Sequence, residues 1–391
     1  MRKDGFRGEL GTFWISESYY FRLPGVLSQL LGVREFVLGR DPRPSSEALY
    51  SAFLSGAKCC GLRITQAGMM PTPMLAKYAQ DHQLLGIVIS ASHNPVDDNG
   101  VKFIGFTLNE LERQEFSILI EKPISGARGS ISCDANGEIQ TYYLEELKKA
   151  VGPQSKRCLV DCAYGAWHPY LYMLEELGFS VDCFDQFNPR LINTSGCVSI
   201  EKQVSLYPKH YDYVLAFDGD GDRLQLVSRQ RILDGDDILC HLSEKGVSVG
   251  TVLSNSVLDQ ALSEKGIVFH RTDVGDDNVY RSMKSLSARY GAESCGHVLD
   301  SNWMRYSDPV YIFSHAMDKG DVLALPKVYQ LHLNLPLGVD IEQLHCQLSC
   351  RDVRLVIRKS NTESFIRVMM EGDSSIISEL IQGYSLNSAS I

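Results

Sequence analysis

The sequence predicts an α/β protein of several domains: three similar α/β domains with mixed or parallel sheets, and a small α+β domain at the C-terminus. Strand-like apolar runs alternate with helical periodicity in three successive cycles, the pattern of parallel strands joined by helical crossovers. The C-terminal stretch breaks that pattern with two strands around a polar turn and a closing helix. The length, 391 residues with 44% hydrophobic composition, also exceeds what one small core uses.

In the first cycle Glu35–Gly39 is a short apolar strand. Ser45 and Ser46 are candidate N-caps for a helix with Ala48, Leu49, Ala52, Phe53, Ala57 and Cys60 on its apolar face, closed by Gly61. Arg63–Ala67 reads as a strand, Thr72–Asp81 as a helix and Leu85–Ile89 as a buried strand. The second cycle runs from a strand at Cys158–Asp161, through a helix near Pro169–Leu177, to strands at Ser180–Phe184 and Tyr213–Phe217. The third has a strand at Thr251–Ser254, a helix at Val257–Glu264, a strand at Ile267–Arg271, a helix near Asn278–Tyr290 and a short strand after it. In the tail, Arg354–Arg358 and Phe365–Glu371 are strands and Ser374–Gln382 a terminal helix. Linkers are expected at Gly126–Asn136, rich in Gly, Ser and Asp, and around Asp318–Lys327. The resulting domains are 1–138, 139–234, 235–327 and 328–391.

Composition excludes several classes. A net charge of -10, from 38 Lys+Arg against 48 Asp+Glu, argues against a nucleic-acid surface, which needs clustered cations. No apolar run approaches the ~18–20 residues of a membrane helix. Met1–Thr12 is polar and has no apolar signal core. The 11 cysteines are irregularly spaced without a Cys-x-x-Cys pair, which fits free thiols in a reducing compartment. A soluble, cytoplasmic protein is expected, with no nucleic-acid or membrane partner.

The strongest chemical signal is Phe217-Asp218-Gly219-Asp220-Gly221-Asp222-Arg223, directly after a strand. At the carboxyl end of a parallel strand such a loop opens into the crevice where α/β proteins bind ligands. Carboxylates this close repel unless a cation gathers them, and hard oxygen ligands favour Mg²⁺ or Ca²⁺. A calcium-binding EF-hand would need Gly at Arg223 and Glu at Arg229, so that reading fails. A solvated acidic turn is the plainer alternative, but it leaves the buried strand feeding three Asp and two Gly without a purpose.

A second signal is Ile89-Ser90-Ala91-Ser92-His93-Asn94-Pro95, followed by the turn Asp98-Asn99-Gly100 and the cation Lys102. Ser92 is a candidate nucleophile, though without the Gly-x-Ser-x-Gly elbow of acyl transfer. Alone the loop would read as a Ser-rich cap. Beside a metal loop it points to phosphoryl transfer, in which a serine phosphate would complete the metal's shell. Third, Arg358-Lys359-Ser360-Asn361-Thr362-Glu363 between the tail strands, with Arg367 beyond, is either a phosphate cradle or a solvated turn. Fourth, Glu293, Ser294 and His297 in Gly291–His297 could hydrogen-bond a polyhydroxy ligand. Walker A and dinucleotide Gly-x-Gly-x-x-Gly patterns are absent, so no nucleotide is implied.

Together these residues resemble the α-D-phosphohexomutase superfamily, and within it the bacterial phosphoglucosamine mutase branch. Asp4-Gly5-Phe6-Arg7-Gly8 resembles the family's N-terminal signature, and Gly39–Arg43 its Gly-Arg/Lys-Asp-x-Arg motif. Ser90–Pro95 resembles the phosphoserine loop, Asp218–Arg223 the magnesium loop, Glu293–His297 the sugar loop and Arg358–Glu363 the phosphate loop. The likeness spans essentially the whole chain in the family's order. It implies domains arranged around a central cleft, one Mg²⁺ per chain and a hexosamine 1,6-bisphosphate as activating intermediate.

By that resemblance Ser92, as phosphoserine, exchanges its phosphoryl group with the sugar, and Asp218, Asp220, Asp222 and the Ser92 phosphate hold Mg²⁺. Lys102, Arg223 and His297 join the catalytic set. Arg7, Arg43, His93, Glu293, Cys295, Arg358, Ser360, Asn361, Thr362 and Arg367 are expected to bind substrate. The implied reaction interconverts glucosamine 6-phosphate and glucosamine 1-phosphate for UDP-N-acetylglucosamine and peptidoglycan synthesis, in a monomer or homodimer. The alternatives are a phosphomannomutase/phosphoglucomutase and a degenerate sugar-phosphate-binding homologue. Departures from the family pattern fall in the substrate loops. Cys295 replaces a serine, Asn361 and Ser364 replace glycine and proline, and Asp277 stands where arginine is expected. The family's Gly-Asp-Gly is not visible in Tyr306–Tyr311, and the resemblance implies a chain shortened near 328–354 and at its N-terminus.

Overall fold

The computed structural model describes residues 3–122, 132–349, 352–359 and 365–388. The chain divides into two compact units, Met1–Asp234 with Cys295–Val322, and Gly235–Ser294 with Leu323–Ile391.

The first unit contains two mixed sheets. One is built from β1 (Gly5–Glu9), β2 (Glu35–Arg40), β3 (Arg63–Met69), β4 (Leu85–Ile89), β5 (Asp98–Ile104) and β6 (Ser132–Asp134), in the order β1-β5-β4-β2-β3-β6. Its β4-β2-β3-β6 part is parallel, while β5 runs antiparallel to both β4 and β1. Phe36, Val37, Leu38, Ile87, Val88 and Ile89 are all buried. Such continuous apolar runs are what a parallel strand covered by helices on both faces requires. The other sheet uses β7 (Arg157–Asp161), β8 (Ser180–Cys183), β9 (Tyr213–Ala216), β10 (Gln225–Ser228) and β11 (Arg231–Leu233), ordered β11-β10-β9-β7-β8. Here β9, β7 and β8 are parallel and the two remaining strands antiparallel.

In the second unit, β12 (Val247–Thr251) lies parallel to both β13 (Val268–Thr272) and β14 (Tyr290–Ala292). After β15 (Val298–Asp300), which belongs to the first unit, come β16 (Gln330–Pro336), β17 (Val353–Lys359) and β18 (Phe365–Gly372). These last three form an antiparallel sheet with β18 central, and the helices Ile341–Leu348 and Ser374–Ser388 pack on it through Leu344, Leu348 and Ile377. The α/β cycles and the α+β tail are thus present. Among the described residues no helix is long and apolar enough to cross a membrane.

Several sequence expectations need correction. The strand placed at Thr251–Ser254 lies earlier, at Val247–Thr251, and Ser254 sits in the following turn with its backbone N–H on the Thr251 carbonyl. Neither Ser45 nor Ser46 caps its helix by side chain. Ser46 Oγ instead donates to Asp41 Oδ1 at 2.7 Å. The linker expected at Gly126–Asn136 ends in structure: β6 pairs with β3 and a helix begins at Asn136. β1, the helix Glu17–Leu31 and β5 are present in addition to the elements that the sequence predicts.

Candidate active site in the first unit

Parallel strands deliver the chemical loops. The chain leaves β4 into Ser90–Asp97 and leaves the adjacent β2 into Asp41–Ser45. It leaves β9 into Phe217–Arg223 and leaves the adjacent β7 into Cys162–Ala166. The loops therefore start from the carboxyl ends of neighbouring strands, where backbone groups are freed from the ladder.

Ser92 is buried and holds a left-handed backbone, φ 51°. For a non-glycine residue this conformation is unfavourable and persists only where the surroundings over-determine it. Here Ser92 N–H donates to Ser90 Oγ at 2.8 Å, and Ser90 Oγ donates to Asp41 Oδ2 at 2.6 Å. The Arg43 guanidinium donates to the carbonyls of Ser92 and Asn94 at 2.8 Å each, to that of Asp98 at 3.0 Å and to that of Pro95. Its Nε pairs with Asp41 at 2.9 Å, with both side chains fully buried. Arg43, expected among the substrate-binding residues, is committed to holding the serine loop.

Ser92 Oγ donates to Asp218 Oδ2 at 2.8 Å, with His93 Nδ1 at 3.4 Å. Ligand oxygens of Asp218, Asp220 and Asp222 lie within 4.8 Å of one another, and all three residues are buried. Burial, then Asp220 and Asp222, push the Asp218 carboxyl up to about 6. Burial disfavours the charge of Asp220 too, but Lys102 outweighs it and holds that carboxyl well below its usual range. Lys102 Nζ donates to Asp220 Oδ2 at 2.6 Å and to Asp222 Oδ2. Burial lowers the lysine's own pKa, and the same carboxylates more than reverse that, keeping it charged. Asp220 Oδ1 and Asp222 Oδ1 remain buried without a hydrogen bond. Buried carboxylate oxygens without a hydrogen bond, beside a carboxyl pushed toward protonation, are a donor set that could hold a cation, and all-oxygen ligands suit Mg²⁺.

Arg223 ties two imidazoles to this cluster. Its Nη2 is 2.7 Å from His93 Nδ1, and its Nε donates to His297 Nε2 at 3.2 Å. His297 Nδ1 in turn lies 3.7 Å from Asp222 Oδ1. Burial, then Arg223 and Arg7, push His93 far below the usual histidine range, so it is neutral and its Nδ1 accepts. Arg7, half-buried on β1, contributes its charge at His93, Asp220 and Lys102. His297 is delivered by the loop after Cys295. Gly296, at φ 106°, lets that loop lie against Leu224, whose N–H donates to the Gly296 carbonyl at 2.9 Å. Cys295 is half-buried and is not part of a disulfide.

The remaining expected residues are in the second unit. Glu293 is buried and accepts from Gly275 N–H at 2.8 Å. Arg358 and Arg367 stand directly opposite each other on β17 and β18. Like charges in register destabilise a strand pair unless an anion joins them. Burial, then the charge of Arg367, lower the pKa of Arg358, with Glu293 and Asp273 opposing. Asp277, the unexpected acid, pairs with Arg281 Nε at 3.0 Å. Ser360, Asn361 and Thr362 lie outside the described residues. Of the supporting residues, Asp41 belongs to the Gly39–Arg43 motif, whereas Thr72 and Asn193 carry no functional signal in the sequence. Thr72 Oγ1 donates to Asp220 Oδ2 at 2.7 Å.

Two family models match the chain. The one described as phosphoglucomutase/phosphomannomutase, alpha/beta/alpha domain I covers residues 1–118, and domain III of the same description covers 229–319. The phosphoglucosamine mutase of Pseudomonas fluorescens (strain SBW25) is 31% identical over 95% of this chain and 94% of its own. That of Shewanella sp. (strain W3-18-1) is 33% identical over the same shares. Among solved structures, a phosphoglucomutase/phosphomannomutase family protein from Burkholderia thailandensis superposes with a TM-score of 0.80, at 19% identity, over 98% of this chain and 95% of that one. An Aspergillus fumigatus N-acetylphosphoglucosamine mutase in complex with GlcNAc-6P and magnesium gives 0.64, at 14% identity, over 97% and 94%.

Proposed function

We propose, from the premise that the chain belongs to the phosphoglucomutase/phosphomannomutase family of isomerases, that it is a phosphoglucosamine mutase interconverting glucosamine 6-phosphate and glucosamine 1-phosphate. The observation that carries the mechanism is Ser92 Oγ donating to Asp218 at 2.8 Å within the buried triad of carboxylates. The relatives named phosphoglucosamine mutase, at 31% and 33% identity over nearly the whole chain, support the choice of substrate.

Asp218, Asp220 and Asp222, with an oxygen of the Ser92 phosphate, would hold one Mg²⁺, which neutralises charge on the transferred phosphoryl group. Ser92 carries that group between half-reactions. It passes to one hydroxyl of the sugar monophosphate, giving a hexosamine 1,6-bisphosphate, and the other phosphoryl group then returns to Ser92. Lys102 and Arg223 offset negative charge beside the serine. His93, which is neutral, and His297 face the same guanidinium, and His297 would exchange a proton with a sugar hydroxyl. Arg7 contributes charge near the serine, Glu293 and Cys295 contact the sugar, and Arg358 with Arg367 takes the non-reacting phosphate, together with Ser360, Asn361 and Thr362. Four domains at 1–138, 139–234, 235–327 and 328–391, and a cytoplasmic enzyme supplying UDP-N-acetylglucosamine synthesis, complete this reading.

The test is phosphosite mapping of the purified protein with coupled assays on glucosamine, glucose and mannose 6-phosphates. Phosphate on Ser92 is expected, with the highest kcat/KM on glucosamine 6-phosphate and a loss of several orders of magnitude in Ser92→Ala. Full activity in that variant would refute the nucleophile. A preference for glucose or mannose would make the chain a phosphoglucomutase or phosphomannomutase.

A further inference from the structure

Phosphoryl transfer at Ser92 needs two loops held at a fixed separation. One carries the nucleophile after β4, and the other carries the carboxylates after β9 in a different sheet. The geometry points to Asn193 as the residue that sets this separation, a positioning residue acting through both loops without touching the reacting atoms. Its Nδ2 donates to the carbonyls of Ser92 and Asn94 at 2.7 and 2.9 Å, and its Oδ1 accepts from Gly219 N–H at 2.8 Å. One buried amide thus spans both loops, with donors spent on one and the acceptor on the other.

Three further observations show that the strut is itself fixed. Asn193 is in the left-handed region, φ 64°, which asparagine tolerates better than most residues. Its own N–H donates to the Ala163 carbonyl at 2.9 Å, and the next residues of that turn bring Ala166 N–H to the Gly219 carbonyl at the same distance. A Cβ on Gly219 would stand 2.9 Å from Asn193 Nδ2 and 2.8 Å from Ile192 Cδ1, so the loop presses directly on the strut. Arg43 donates to the same Ser92 and Asn94 carbonyls, and its other partners, Asp41, Pro95 and Asp98, lie outside the aspartate loop. Arg43 therefore shapes the serine loop, whereas Asn193 relates it to Asp218.

The inference rests on Ser92 being the phosphoryl carrier. The test compares wild type, Asn193→Gly, Asn193→Asp and Ser92→Ala in two measurements. Glycine accepts the left-handed backbone while deleting the amide. Aspartate keeps the shape and turns an acceptor toward two carbonyls. The first measurement is the single-turnover rate at which glucose 1,6-bisphosphate phosphorylates the dephosphorylated protein, followed by intact mass. The second is hydrogen exchange in substrate-free and Mg²⁺-free protein. Both Asn193 variants are expected to lose about 10²-fold in rate, the scale of a misplacement near 1 Å, with half-saturating bisphosphate unchanged. Exchange is expected to rise together in peptides covering 90–97 and 217–223 and to stay unchanged elsewhere in the first unit. Wild-type rates and exchange in both variants would overturn the role of Asn193. So would a uniform rise in exchange with a lowered melting temperature in both, which marks a folding residue. Phosphorylation of Ser92→Ala at the wild-type rate would instead overturn the nucleophile assignment.

Discussion

At Arg43 a full positive charge is enclosed by backbone carbonyls and by Asp41, with neither side chain exposed. A buried ion pair adds little net stability, but removing one partner strands the other in a medium that cannot solvate it, at about 3–5 kcal/mol. Arg43→Met should therefore lower the unfolding free energy by about 3–5 kcal/mol in denaturant titration. Lys148→Met should fall within about 1 kcal/mol of wild type, because its pair with Glu176 is exposed. A smaller effect is expected at Cys295. A thiol is a weaker donor and acceptor than a hydroxyl, and one neutral hydrogen bond is worth about 0.5–1.5 kcal/mol. Cys295→Ser should hold or raise kcat/KM on glucosamine 6-phosphate, by up to about tenfold. A clear fall would mean that the pocket is built around sulfur and would count against the proposed substrate.

At the scale of elements, the loop Phe217–Arg223 shows what sequence can and cannot convey. Alternating Asp and Gly after an apolar strand made its chemistry legible, and the structure adds why the glycines are needed. Gly221 has φ 73°, and a Cβ there would stand 2.3 Å from Cδ1 of buried Trp167, whose Nε1–H donates to the Gly221 carbonyl at 2.8 Å. Gly221→Ala should cost about 2–5 kcal/mol from backbone strain and overpacking combined. It should also weaken Mg²⁺ binding by calorimetry. Unchanged stability would mean that the indole yields freely. The helices Thr72–Asp81 and Val257–Glu264 and the strand Leu85–Ile89 were read to their observed ends because local periodicity defines them. By contrast β5 was hidden. Its opening Asp98-Asn99-Gly100 has turn chemistry, and it becomes a strand only by pairing with β1 and β4. Asn193 was hidden for the same reason: nothing near it in sequence indicates the two loops that its amide joins.

At the scale of the whole molecule, one buried glutamate links the packing of the second unit to acid. Glu371 is buried on β18. Burial opposes its ionisation, but hydrogen bonds from Ser256, Arg354 and Gln330 prevail and hold its carboxyl below the ordinary 4.5. Ser256 N–H donates at 2.8 Å, Gln330 Nε2 at 2.6 Å, and Arg354 forms an ion pair while also holding the Val252 and Ser254 carbonyls at 2.9 and 2.8 Å. The carboxylate thus fastens β16, β17 and β18 to the turn after β12. Because its pKa is lower folded than unfolded, the unfolded chain takes up its proton first as the pH falls. The stabilisation is complete above the ordinary value and is lost as the pH drops through the folded one. Glu371→Gln should be less stable than wild type at pH 7 by about 1.5–3 kcal/mol, the worth of a hydrogen bond to a charged group. The difference should narrow between pH 5 and acid, since acid removes from wild type what the variant has already lost. Denaturant titrations of both proteins across that range, read by exchange in peptides of the second unit, decide it. A constant gap down to the lowest pH would mean that Glu371 stays ionised or contributes by packing alone.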